Sequence, residues 1–228
     1  MNSSPEHAPD APLSREALIS AYMEHCLEQG QAPRSLEALA QTLGQPTQAL
    51  KSHFKSLPAL EAGVFEAFLS HSLALLEQTP EYASYSGSEK LLALYYTFFE
   101  LLSANRAYVL LALPPDLRLL QQLPRLMGLQ RAFTRHLASL LPDLDLPGPR
   151  WSGRDLLLAE GFWLQLLSLL VFWYRDDSPN FEQTDVFIEK SVAALLSSLR
   201  LQPGSALLDW GRFCATNVVS SLRKGPWA

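Results

Sequence analysis

Apolar residues recur at intervals of three and four along most of the chain, and stretches that alternate apolar with polar residues are scarce. That periodicity belongs to helices packed on one face, so the spacing predicts an all-α fold. Residues 15–29 form the first such stretch, with Leu18, Ile19, Tyr22, Met23, Cys26 and Leu27 on a common face, Ser14 placed to cap the start and Gly30 to close the end. Behind Ser35 the spacing returns in Leu36, Leu39, Ala40 and Leu43 and stops at Gly44. Pro46 can open a further short helix over residues 47–55, because a proline in a first turn gives up an N–H that has no intrahelical partner there. Val64, Phe65, Phe68, Leu69, Leu73 and Leu76 then form the stripe of a long helix that starts after Ser56 and continues to about residue 77. Thr79-Pro80 ends it and residues 82–88 read as a loop. Further helices are expected over residues 89–103, 107–113, 117–141, 154–174, 185–199 and 206–222, with Pro124 splitting the third of these.

Two short helices joined by a glycine-containing turn, residues 35–54, are the grammar of a helix-turn-helix. Gly30, Ser35, Leu39-Ala40, Gly44, Leu50, His53-Phe54, Ser56 and Leu60 occur in the order and spacing of the amino-terminal pattern of the tetracycline-repressor-like family, which this chain resembles over residues 14–65. The segment 172–199 is similar to the closing helices of some members. The resemblance implies a three-helix helix-turn-helix head followed by a larger helical body that holds a ligand and dimerises. The division expected is a polar, Pro-rich disordered leader at 1–12, a DNA-binding domain at 13–57 and a ligand-binding and dimerisation domain at 58–228. The pattern also departs from the family: Gln45-Pro46 stands where Val-Ser is usual, Gln48 replaces a small residue, Lys51 a phosphate-contacting Tyr, and Leu57 a Lys.

By that resemblance the DNA-facing residues are Arg34, Ser35, Gln45, Thr47, Gln48, Lys51, His53 and Lys55. Glutamine can read adenine bidentately in the major groove, so Gln48 is the candidate for specificity, while Lys51 can meet a phosphate as a point charge. Charge cuts against an ordinary operator-binding head. Residues 1–60 carry four cations (Arg15, Arg34, Lys51, Lys55) and six carboxylates (Glu6, Asp10, Glu16, Glu24, Glu28, Glu37), a net of −2. Affinity for a duplex comes largely from neutralising phosphates, so any contact must be local to one face. The whole chain is at −5, which does not suggest coating of nucleic acid or of an anionic membrane.

Two cysteines, Cys26 and Cys214, are too few for a disulfide framework, and no cationic and apolar leader marks a secretory signal, so a cytoplasmic protein is expected. The longest apolar run, residues 164–173, is interrupted by Gln165 and Ser168 and is too short to span a bilayer, so no membrane insertion is expected. The five histidines have no metal-ligand spacing and no glycine-rich phosphate loop occurs; no metal, no cofactor and no enzymatic activity are expected. Aromatic residues crowd the body, and Tyr96, Phe99, Phe133 and Trp163 are the candidates for lining a pocket, with core packing as the plainer role of aromatics at helical spacing. Few charges interrupt those helices, so an effector would be small and hydrophobic or amphipathic. Residues 154–174 are apolar around most of the circumference, which suits a two-fold interface in a homodimer.

These readings converge on a ligand-responsive transcriptional regulator, a repressor rather than an activator, that binds a palindromic duplex operator as a homodimer. The alternative keeps the fold and drops the operator: a lipid- or hydrophobe-binding accessory protein that has lost DNA binding.

Overall fold

The structure, a computed structural model, describes residues 13–113, 119–147 and 154–201, the side chains of 119–123 and 201 excepted. The described residues contain no strand, and the all-α expectation holds. The helices are α1 (Arg15–Gln29), α2 (Leu36–Thr42), α3 (Thr47–His53), α4 (Leu57–Glu77), α5 (Gly87–Ala104), α6 (Arg106–Ala112), α7 (Leu119–Leu140), α8 (Arg154–Tyr174) and α9 (Glu182–Leu201). Short 3-10 turns at Pro80–Ser84, Leu141–Leu144 and Pro179–Phe181 join some of them. The leader at 1–12 and the helix expected at 206–222 lie outside the described residues.

Serine hydroxyls start several helices by accepting an otherwise unpaired amide: Ser14 from Ala17 at 3.1 Å and Ser56 from Ala59 at 3.3 Å. At α5 the same device is reciprocal, with Ser86 Oγ accepting from the Glu89 amide and the Glu89 carboxylate accepting from the Ser86 amide. That capping box moves the start of α5 from the expected residue 89 back to Gly87. α7 runs unbroken through Pro124, near its first turns, instead of splitting there; a proline that early removes one hydrogen bond and leaves the rest of the helix intact.

α4 is the element on which the others converge. It lies along α7, and the approach is close enough that a Cβ on Gly128 would strike the Ala62 carbonyl oxygen. α1 packs on both α4 and α6. Leu18, Ile19, Tyr22 and Cys26 are buried as expected, whereas Leu27 is 47% exposed, on an open groove between α1 and α4. Deeper in the body a buried polar chain ties three helices: Tyr95 donates to Gln165 at 3.1 Å, and Gln165 donates to Ser191 at 3.2 Å. At the α8–α9 corner the Arg106 guanidinium covers two neighbouring rings, Trp173 (4.7 Å) and Phe181 (4.8 Å), and donates to the carbonyls of Trp173, Tyr174 and Asp176.

The apolar run at 164–173 belongs to a 21-residue helix, and by length and composition alone both α4 and α8 could cross a bilayer, a test that a buried core helix also passes. Half of the most apolar window of α4 is already buried. In the most apolar window of α8, 72% of the residues are buried against other helices, as expected of the core helix of a packed bundle.

Candidate nucleic-acid interface

The helix-turn-helix is built from local rules. Ser35 caps α2 by accepting from the Ala38 amide at 3.2 Å, and Leu36, Leu39 and Ala40 bury its inner face. α2 ends in a Schellman motif: the Gln45 amide reaches back to the Ala40 carbonyl (2.9 Å), the Gly44 amide to Gln41 (3.2 Å), and Gly44 sits at φ 63, a left-handed conformation that glycine adopts without a Cβ clash. Pro46 follows as the residue before α3, with extended backbone and no side chain able to cap. Leu50 is fully buried and fastens α3 to α2.

α3 ends at His53, so Lys55 lies in the loop beyond it and not on the helix. The reason is Phe54, whose extended backbone turns its ring inward, where Arg15 covers it at 5.0 Å and Gly63 leaves the space it occupies. On the outward side of α3, Gln48 and Lys51 are exposed and Thr47 is half-exposed, with Gln45 half-exposed in the turn before it. Arg34 is exposed ahead of α2. The hydroxyl of Ser35 is committed to its cap, and His53 Nε2 donates to the Leu13 carbonyl at 2.7 Å, tying the end of α3 to the segment that enters α1.

A partner that the periodicity did not reveal is Glu37. Its carboxylate accepts from Lys51 Nζ at 2.8 Å, across the α2–α3 angle. That hydrogen bond, with help from backbone and the Ser35 hydroxyl, holds the Glu37 carboxyl down to about 2. Glu37 therefore stays charged wherever a protein–DNA complex is studied, and a phosphate must compete with it for Lys51. Both residues are visible in the sequence; their meeting depends on the angle between two helices, which spacing does not encode.

The aromatic candidates of the body come together as packing. Phe133 stacks on Tyr95 with ring centres 6.1 Å apart and meets Trp163 at 6.4 Å, while Phe99 lies 6.3 Å from Trp173. Phe99, Phe133 and Trp163 are buried among α5, α7 and α8, and Tyr96 is half-buried near Asp185 and Glu189.

An all-helical protein whose amino-terminal helices form a bihelical unit with its second helix facing outward defines a recognisable architecture. The family model for a tetracyclin repressor-like C-terminal domain matches residues 90–214, from the first turn of α5 through α9 and beyond. The chain belongs to the tetracycline-repressor-like family, whose members are transcriptional regulators. Among curated proteins none matches it. The matched span and the motif at 14–65 do not overlap, so two separate parts of the chain point to the same family.

Proposed function

We propose that this protein is a ligand-responsive repressor that binds a palindromic DNA operator as a homodimer, with α3 as the recognition helix. The observation that carries this reading is the outward face of α3, where Gln48 in the first turn and Lys51 in the last are both exposed. In this reading residues 13–57 are the DNA-binding unit, residues 58–228 hold the effector and the dimer contact, and the protein works in the cytoplasm beside its operator. Gln48 reads a base edge and Lys51 contacts a phosphate.

The test is fluorescence anisotropy with the DNA flanking the protein's own gene, over a range of salt. Lys51→Ala should weaken binding and reduce the salt slope by about one ion. Glu37→Gln should do the reverse, strengthening binding by about threefold to tenfold, because it releases Lys51 to the phosphate and removes a nearby negative charge. If neither variant alters affinity or slope, α3 is not the contact.

Dimerisation is supported by what α8 leaves uncovered. Leu157 (45% exposed) and Leu164 (40%) lie two turns apart on one face, with Leu156 (66%) beside them. Leu164→Arg is expected to yield monomers of native helicity; sedimentation velocity that still shows a dimer would exclude this face.

One observation favours the alternative reading, a same-fold hydrophobe-binding accessory protein: Lys51 is paired within the chain, in a head of net charge −2. No anisotropy change at low salt, together with lipid co-purified and identified by mass spectrometry, selects that alternative.

A further inference from the structure

A cavity of about 240 Å³ lies where α1, α4, α6 and α7 meet. Its aromatic walls are Tyr22, Phe65 and Tyr108, and its polar groups are Glu61 and Arg125, with the thiol of Cys26 beside them. Gly30, Gln31 and Ala32, all exposed in the segment after α1, form its mouth. We propose that this cavity is the effector site, and that it takes a neutral aromatic molecule of one or two rings bearing a hydroxyl group. This rests on the regulator reading and refines it: the ligand is held by the body through Phe65, Tyr108 and Arg125 and also by Tyr22 and Cys26 of the DNA-binding unit, so the site is shared and not confined to residues 58–228.

Size sets the first limit. A dry cavity of about 150 Å³ accepts benzene, so this one admits a somewhat larger ring system but not a drug-sized molecule. Charge sets the second. Glu61 and Arg125 already neutralise each other, Nε to Oε2 at 3.2 Å, and a charged ligand would leave a net charge in a half-buried site. Burial also pushes the Tyr22 and Tyr108 hydroxyls and the Cys26 thiol upward, so these groups stay protonated and neutral.

The hydroxyl preference follows from two long contacts. Glu61 Oε1 accepts from the Tyr22 hydroxyl at 3.4 Å, well beyond the roughly 2.7–2.8 Å usual for O–H···O, and from Arg125 Nη2 at 3.5 Å. Glu61 thus retains acceptor capacity facing the cavity, and a ligand hydroxyl can donate to it at a shorter distance. The flat faces of Tyr22, Phe65 and Tyr108 supply the apolar contact, with Tyr108 set edge-on to Tyr22 at 6.2 Å and tilted to Phe65 at 6.5 Å. The site also has leverage. One wall is α1, the first helix of the unit that carries α3, and the opposite walls are α6 and α7 of the body, so a bound molecule contacts both sides of that seam at once.

The experiment uses the full chain without DNA, with 2-naphthol as the probe and naphthalene as its hydroxyl-free control. Equilibrium dialysis should show one saturable site for 2-naphthol, with naphthalene weaker by about tenfold. Ala32→Trp, at an exposed mouth position, should weaken 2-naphthol by at least about tenfold while leaving the melting temperature near wild type. In amide NMR spectra of the unaltered chain, 2-naphthol should shift Cys26, Ala32 and Ala112. Absence of saturable binding, equal affinity for the two probes, or shifts centred elsewhere would overturn the assignment. Because binding is read without DNA, a failed operator assay with intact 2-naphthol binding sinks the regulator reading and leaves the site, whereas the opposite pair of results sinks the site alone.

Discussion

Trp173→Ala is expected to lower the stability of the fold by about 3–5 kcal/mol, the range for removing a large buried aromatic. Trp173 is fully buried at the end of α8, and its indole N–H donates to Ser103 Oγ at 2.9 Å, linking α8 to α5. One side of the ring meets Phe99, and the other elements of the corner close over it through Phe181 at 6.1 Å and the Arg106 guanidinium at 4.7 Å. Truncation opens a cavity and also takes away one of the two rings that the guanidinium covers. Trp173→Phe retains the packing and loses the donor, so it should cost less, about 1–2 kcal/mol. Urea unfolding followed by circular dichroism gives both numbers; equal costs for the two variants would mean that packing at this corner contributes little.

Asp176→Asn should remove about 2–3 kcal/mol at neutral pH and nearly nothing in strong acid. The Asp176 carboxylate is buried between α8 and α9, where it accepts from the amide and hydroxyl of Ser178 (2.9 and 2.6 Å) and from the amide and hydroxyl of Thr184 (2.8 and 2.6 Å). Burial alone would push this carboxyl up, yet the four hydrogen bonds outweigh it and hold the group below the ordinary carboxylate range. Asp185, close by, goes the other way, raised first by burial and then by the charge of Asp176. A depressed folded value fixes the sign. The stabilisation from Asp176 is complete above the unfolded value of about 3.9 and disappears as the pH falls through the lower folded value. Stability curves of the wild type and Asp176→Asn should therefore lie apart at pH 7 and converge in acid. A constant gap down to strong acid would show that the hydrogen bonds do not depend on the charge.

The helices were legible because their signals are local. Ser14, Ser35, Gly30 and Gly44 mark ends that the structure reproduces, and the stripe from Val64 to Leu76 faces the core apart from half-buried Leu73. Boundaries moved where a side chain acted on its neighbours, as with Ser86 and Glu89 at α5 and with the inward turn of Phe54 that ends α3. What escaped were contacts set by angles between helices. Lys51 stands out in the sequence as a cation, but its pairing with Glu37 needs the α2–α3 crossing. Tyr22, Glu61 and Arg125 lie far apart in sequence and meet only because α1, α4 and α7 converge. The aromatic candidates were drawn by residue type, and type does not separate a ring that lines a hollow from one that fills it: Phe133 and Trp163 fill.

Where Gly128 lies against Ala62, main chain rests directly on main chain, with no flexible group in between to absorb a displacement. Two rods held this way resist sliding, since translation drives a carbonyl into the opposing backbone. Any side chain at position 128 would have to force the two backbones apart, so this place in the bundle admits hydrogen alone.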